Sequence, residues 1–326
     1  MLDWLISAEG KCESYIEHVC TPAAKYNLRS VLEWAIQHGA KLDSYCMYYA
    51  AESGHLTLVR WLHEERHVFI DVTTTDWAVK ADNIELMQYV MEKGAELTDN
   101  TLRLAAKYGS KNMVQWLHDE HRIPWSSDVC TGAAENGHLS LLQYLHLRGC
   151  EWDDDTTDKA AEEGHLDVLQ WAIENGCPFK IWSFTLHQCA EAGRLDVLQY
   201  IYHHDPKGFL TELETDEDED DDRSDNDETT KLTAVGLAAE NGYLSVVQFI
   251  YSLQPTCYYK VLCEAVTCWK PSALEVVQWL VDKAHFGRPP SFLKMRREMR
   301  LDVAEYLKEN GMMYEEENTP SLLERS

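Results

Sequence analysis

The chain has 326 residues, 45% of them hydrophobic, and carries a formal charge of −27 from 56 acidic against 29 basic side chains. An acidic excess of this size repels phosphate backbones and anionic lipid surfaces, so nucleic acid and membrane are excluded as partners and proteins with a basic surface are favoured. Met1–Gly10 lacks the positive segment of a secretory signal and no apolar run reaches bilayer-spanning length, so a cytoplasmic protein is expected, with the nucleus as the alternative and secretion excluded.

In chain order, residues 1–20 read as an N-terminal capping half-repeat, because Leu2-Asp-Trp-Leu-Ile-Ser-Ala-Glu-Gly10 has the form of a lone second helix. Residues 21–205 then repeat one unit. Its mark is an aromatic after a short apolar run, at Trp34, Trp61, Tyr89, Trp116, Tyr144, Trp171 and Tyr200, and beyond them at Phe249, Trp279 and Tyr306. The successive spacings are 27, 28, 27, 28, 27, 29, 49, 30 and 27. Each unit predicts two short helices. The first ends on a small pair, as in Ala133-Ala134 and Ala160-Ala161, followed by a residue for a left-handed C-cap: Gly54, Gly109, Gly137, Gly164, Gly193 or Gly242, with Asn27 and Asp82 in the divergent units. The second is expected to start at Ser140, Asp167, Asp196 or Asp302 and to end at Gly39, Gly94, Gly149, Gly176 or Gly311, before an apolar plug at Leu42, Leu97, Trp152 or Phe179. Helices this short cannot hold themselves together, so stability must come from stacking.

The period breaks between Tyr200 and Phe249, where the 206–231 segment, rich in Asp and Glu, is expected to be a disordered acidic insertion. Thr215 and Ser224 precede acids there and are candidate phosphorylation sites. Repeats resume over 232–312, with Cys268-Trp269-Lys270 lengthening one turn, and 313–326 is a polar C-terminal tail.

Leu186-His187 with Cys189-Ala190 and Gly193, and Thr233 with Ala238-Ala239 and Gly242, make the unit resemble the ankyrin repeat. The resemblance spans about residues 20 to 312, with a period near 28 in place of the usual 33. With G-H-L, Q-W and G-C-x-W, this short form is similar to arrays in large DNA viruses of protists and in some protists, and the viral resemblance would place it in a host cytoplasm. The resemblance implies an all-α ankyrin-like solenoid of about ten stacked helix-turn-helix repeats, with short or absent β-hairpin fingers. It further implies a monomeric, non-catalytic scaffold that needs no cofactor and binds other proteins on its concave face. On that analogy the partner-binding candidates are Glu52, Glu135, Glu162, Glu191 and Glu240 at first-helix ends, and Tyr48, Asp76, Arg103 and Thr131 within first helices. An adaptor of a multisubunit complex such as a ubiquitin ligase is the alternative.

Catalytic readings find little support. His63-Glu64-Glu65-Arg66-His67 matches the zinc-hydrolase motif, which works only with both histidines on one face of a continuous helix. In the repeat register Arg66 aligns with the helix-ending glycines, so His67 is expected beyond the helix and His63, like His118 and His146, at a solvated outer position. His55, His138 and His165 recur with the repeat and read as turn residues, while the ten scattered cysteines, including Cys257, Cys263 and Cys268, read as reduced thiols that hold no metal. The aromatic ladder reads as core between repeats, with no phosphate-loop, dinucleotide or hydrolase motif beside it.

Overall fold

The structure, a computed structural model, describes residues 13–98, 100–214, 233–254, 261–262, 265–266, 270, 272–284 and 301–310. Every regular element among them is a helix. In chain order these pair as α1 (Glu13–Lys25) with α2 (Arg29–Gln37), α3 (Ser44–Glu52) with α4 (Leu56–Glu64), α5 (Val72–Lys80) with α6 (Ile84–Glu92), α7 (Thr101–Lys107) with α8 (Lys111–Asp119), and α9 (Ser127–Glu135) with α10 (Leu139–Leu147). They continue as α11 (Asp154–Glu163) with α12 (Leu166–Glu174), and α13 (Ser183–Glu191) with α14 (Leu195–His204). A lone helix α15 (Pro206–Glu214) follows, then the pair α16 (Ala234–Glu240) and α17 (Leu244–Leu253), and the second helices α18 (Ala273–Ala284) and α19 (Leu301–Glu309). None of the described helices is long and apolar enough to cross a membrane. The expected capping half-repeat falls mostly on residues outside those described, and α1 runs across its expected boundary at residue 20.

The chain forms two compact units, Met1–Lys159 with Asp167–Pro178, and Ala160–Leu166 with Phe179–Ser326. In the first, α1 packs on α3, α3 on α5, α5 on α7 and α7 on α9, so the first helices make one layer. The second unit stacks α13 on α16, and α14, α17, α18 and α19 each on the next. This is an ankyrin-like stack of helix-turn-helix repeats, and no strand interrupts the connections among the described residues.

The core is aliphatic. Three and two residues before the marker aromatic and one after it, each second helix from α4 on buries one trio: Leu58, Val59 and Leu62; Leu86, Met87 and Val90; Met113, Val114 and Leu117; Leu141, Leu142 and Leu145; Val168, Leu169 and Ala172; Val197, Leu198 and Ile201; Val246, Val247 and Ile250; Val276, Val277 and Leu280; Val303, Ala304 and Leu307. A fully buried Leu or Val contributes about 1.5–3 kcal/mol, which short helices recover only by stacking. Opposite them, Ala50-Ala51, Ala105-Ala106, Ala133-Ala134 and Ala238-Ala239 are fully buried, small enough for neighbouring helices to close up.

The aromatic ladder differs from expectation. Trp61, Tyr89 and Trp116 are buried, but Trp34, Tyr144, Trp171, Tyr200, Phe249, Trp279 and Tyr306 are half-buried. Every ring sits one residue off the aliphatic trio, at the margin of the helix face, so its burial depends on what neighbouring side chains lay over it, and cations do so at several rings, both buried and half-buried. Arg29 and Arg66 lie 4.9 and 4.8 Å from the Trp61 ring centre, Arg60 4.7 Å from Tyr89, and Lys111 5.0 Å from Tyr144. The Tyr89 hydroxyl donates to Glu64 Oε1 (3.1 Å), and burial, aided by that carboxylate, pushes its pKa up to about 12.

Helix ends follow the expected left-handed positions, with φ of 56° at Asn27, 47° at Asp82 and 74° at Gly54. The 27- and 28-residue steps now have a cause. Where the second helix ends on glycine, as at Gly39, Gly94 and Gly149, the turn closes there. After Trp61 and Trp116 the left-handed residue is instead His67 (φ 57°) or Arg122 (φ 55°), one place later, and the turn closes through Val68 N–H to the Leu62 carbonyl and Ile123 N–H to the Leu117 carbonyl.

Two further expectations are corrected. Second helices start one residue earlier than expected, at Leu139, Leu166, Leu195 and Leu301, so Ser140, Asp167, Asp196 and Asp302 are their second residues. The insertion is not irregular from residue 206: Pro206–Glu214 is helical, capped by Asp205 Oδ1 accepting from Gly208 N (3.0 Å), and it buries Phe209 completely. Phe209 lies 5.6 Å from Tyr202 and 6.2 Å from Phe249, so α15 is wedged between the pairs on either side of it.

Candidate functional site

In four repeats the residue after the left-handed cap ties the repeat to the one before. His55 donates Nε2–H to the Lys25 carbonyl (2.9 Å) and His138 to the Lys107 carbonyl (3.0 Å). Ser110 does the same to the Val79 carbonyl (3.0 Å), and Asn83 reaches the Gly54 carbonyl (3.3 Å). The accepting carbonyls are among those a helix C-terminus leaves unpaired or lie just past it, so each repeat finishes its predecessor. The same side chain covers the preceding glycine. A Cβ on Gly109 would stand 2.7 Å from the His138 ring, and one on Gly193 2.7 Å from Tyr243. His55 and His138 are therefore structural staples.

His63 and His67 do not form a metal pair. His63 is in the last turn of α4, half-buried, donating Nδ1–H to the Val68 carbonyl (3.2 Å), and His67 lies past the helix in left-handed backbone. His63 and its equivalents are not solvated as expected: His118 stacks on Trp125 at 3.7 Å and His146 on Trp152 at 4.1 Å, each closing the connection after its helix. Among the described residues no group of three or more His, Cys, Asp or Glu could hold a metal. Cys257, Cys263 and Cys268, and the phosphorylation candidates Thr215 and Ser224, lie outside the described residues.

The first-helix candidates fall into bonded ladders. Tyr48 donates to Asp71 Oδ2 (2.9 Å), and Asp71 caps α5 by accepting from Thr74 N (2.9 Å). Glu52 pairs with Lys80 at 2.5 Å and raises its pKa through that bond. Glu135 takes both Arg103 (3.0 Å) and Lys107 (2.5 Å). Thr131 is buried against the Ser127 carbonyl (3.2 Å) and Thr156 (3.3 Å). Asp76 is half-buried, Oδ1 finds no hydrogen-bond partner among the described residues, and burial raises its pKa. In the second unit Glu162 and Glu240 are half-buried and Glu191 is exposed.

A different position faces out. Five residues before the small pair, at the openings of the first helices from α3 on, stand Tyr45, Thr73, Asn100, Asp128, Asp155 and, in the second unit, Phe184 and Thr233. All except the half-buried Thr73 and Thr233, of which Thr233 caps α16, are exposed, Tyr45 at 59% and Phe184 at 50%. Tyr45 belongs to a larger patch: its ring is 6.0 Å from Tyr48, Tyr48 bonds Asp71, and Val72 and Phe69 beside Asp71 are 45% and 74% exposed. Sequence reasoning missed these residues. The available signal was an aromatic at a position where other repeats carry Thr, Asn or Asp.

No protein-family model matches the chain, and no curated protein matches it. Solved structures do, among them the human ASB11 ankyrin repeat domain, at 17% identity and a TM-score of 0.37, over 50% of this chain and 86% of that one. The fold assignment rests on the repeat geometry within the chain itself.

Proposed function

We propose that this chain is a non-catalytic protein-binding scaffold whose first-helix openings recognise polypeptides carrying a basic residue beside an apolar one. The observation that carries it is the opening position. Positions that keep one character from repeat to repeat serve packing, whereas this one changes from Tyr45 to Asp128 to Phe184 and is exposed at all three. Tyr45, Phe69 and Val72 supply the apolar contact, and Asp71, Asp128 and Asp155 with the overall charge of −27 supply attraction for a cation. The bonded pairs of Glu52 with Lys80 and of Glu135 with Arg103 and Lys107 hold neighbouring first helices in register, and Glu162, Glu191 and Glu240 are acids at first-helix ends of the second unit. A random peptide library selected against the full chain tests this. Enrichment of Lys or Arg next to aromatic or aliphatic residues is expected, with binding weakened about tenfold or more by Tyr45→Ser plus Phe69→Ser, as for central apolar anchors. Selected peptides that bind this variant as tightly as the native chain would remove the patch from the site.

A further inference from the structure

The fifth helix pair holds two thiols face to face. Cys130 is the fourth residue of α9, and Cys150 follows Gly149 (φ 80°) where the chain leaves α10. Their sulfurs are 3.3 Å apart, both side chains are buried, and both are free thiols. The same two repeat positions hold Cys20 and Ala40, Thr75 and Ala95, or Thr157 and Cys177 in other pairs, so packing alone does not ask for two cysteines. Cys150 lies under a thin cover: its sulfur is 3.5 Å from the Ser126 carbonyl and 3.6 Å from that of Glu151, and Ser126, Gly149 and Glu151 are themselves exposed.

We propose that Cys130 and Cys150 are a redox modification site that closes to an intramolecular disulfide when a hydroperoxide oxidises it. Closure needs the sulfurs to approach by about 1.3 Å, to the disulfide distance near 2.05 Å. The roles are asymmetric. Cys130 donates its S–H to Cys150 Sγ, which holds the Cys150 thiol below its ordinary range and pushes Cys130 up. Cys150 is thus the more readily deprotonated of the two, and the one that attacks once it has lost its proton. It displaces hydroxide from the peroxide oxygen, giving a sulfenic acid; the Cys130 sulfur then attacks Cys150 Sγ, the S–O bond breaks, and water leaves with the Cys130 proton. In sum two thiols and one hydrogen peroxide give one disulfide and two waters, the two electrons passing from sulfur to the O–O bond. Cys177, the next thiol, is pushed up to about 12 by burial and by Asp153, Asp154 and Asp158, so it stays protonated and does not compete. The bridge would tie α9 to the connection that leads into α11, fixing the turn beside the exposed Asp155.

The test uses the native full chain and hydrogen peroxide, followed by alkylation and proteolysis without reduction. Mass spectrometry is expected to find one peptide pair joined through residues 130 and 150, with two of the ten thiols lost and regained on adding dithiothreitol. Cys130→Ser is expected to leave Cys150 as a sulfenic acid that dimedone traps, and Cys150→Ser to leave Cys130 unreacted. The unmodified protein carries the peptide map, so the result stands even if a variant folds poorly. Recovery of both thiols unoxidised, a bridge to Cys177 instead, or a 130–150 bridge seen only after denaturation would overturn the proposal.

Discussion

Asp76 shows what a repeat stack does to a single charge. Its carboxyl is half-buried on α5, one oxygen has no partner among the described residues, and Lys80, one turn along, is taken by Glu52. Burial therefore raises its pKa above the ordinary 3.8, which means that the folded state holds the proton more tightly than the unfolded one. The stability this contributes is present in acid and is lost as pH rises through the raised value. Asp76→Asn removes the titration, so it is expected to raise the melting temperature at pH 7 and to change it little at pH 3. An equal shift at both values would show that the ionised carboxylate is not what costs stability. Glu135 is the contrast, since two cations meet it at 3.0 and 2.5 Å and it stands as a paired charge.

At the scale of elements, α15 separates what the sequence reveals from what it hides. Left-handed caps were legible because the chemistry is local: Gly, Asn and Asp best tolerate the backbone at Asn27, Asp82 and Gly54, and all three adopt it. The staples were not, because His55 and His138 meet carbonyls 30 and 31 residues earlier, and only the stacking distance makes those neighbours. Nor was the margin of the aromatic ladder, since helical periodicity assigns a face but not its edge. The exposed openings at Tyr45 and Phe184 went unread for a related reason, the repeat pattern drawing attention to what recurs. For α15 the local signals were present, a capping Asp205, Pro206 in the first turn and apolar Phe209 and Leu210, but the acidic run after them masked the pattern. Phe209 is completely buried among Tyr202 and Phe249, so Phe209→Ala is expected to cost about 3–5 kcal/mol, the range for removing a buried phenyl ring, in a urea titration of the whole chain. A loss under about 1 kcal/mol would mean that α15 contributes no packing.

For the whole molecule the dominant quantity is charge, and two electrostatic effects oppose each other. Surface ion pairs such as Arg29 with Glu33 (2.8 Å) and Arg148 with Asp119 (2.9 Å) weaken as salt rises, but each is half-exposed and such pairs contribute about 0–1 kcal/mol. Against them stands repulsion among the excess acids. Asp216–Glu228 holds ten acids and one arginine, −9 of the total, which leaves −27 + 9 = −18 on the remainder of the chain. Adjacent repeats lie about 10 Å apart, so at 0.01 M ionic strength, where screening acts over about 30 Å, each acid feels several neighbouring repeats. At 0.15 M that reach falls to about 8 Å, and repulsion between repeats is largely removed while contacts under 4 Å persist. Salt is therefore expected to stabilise the fold, raising the melting temperature by several degrees between 0.01 and 0.15 M sodium chloride. Deleting residues 215 to 228 should shrink the effect without reversing it, because two thirds of the excess charge stays on the repeats and their flanks. A melting temperature that falls with salt would show that the ion pairs outweigh the net charge, and would make the acidic surface a source of stability instead of a cost carried for binding.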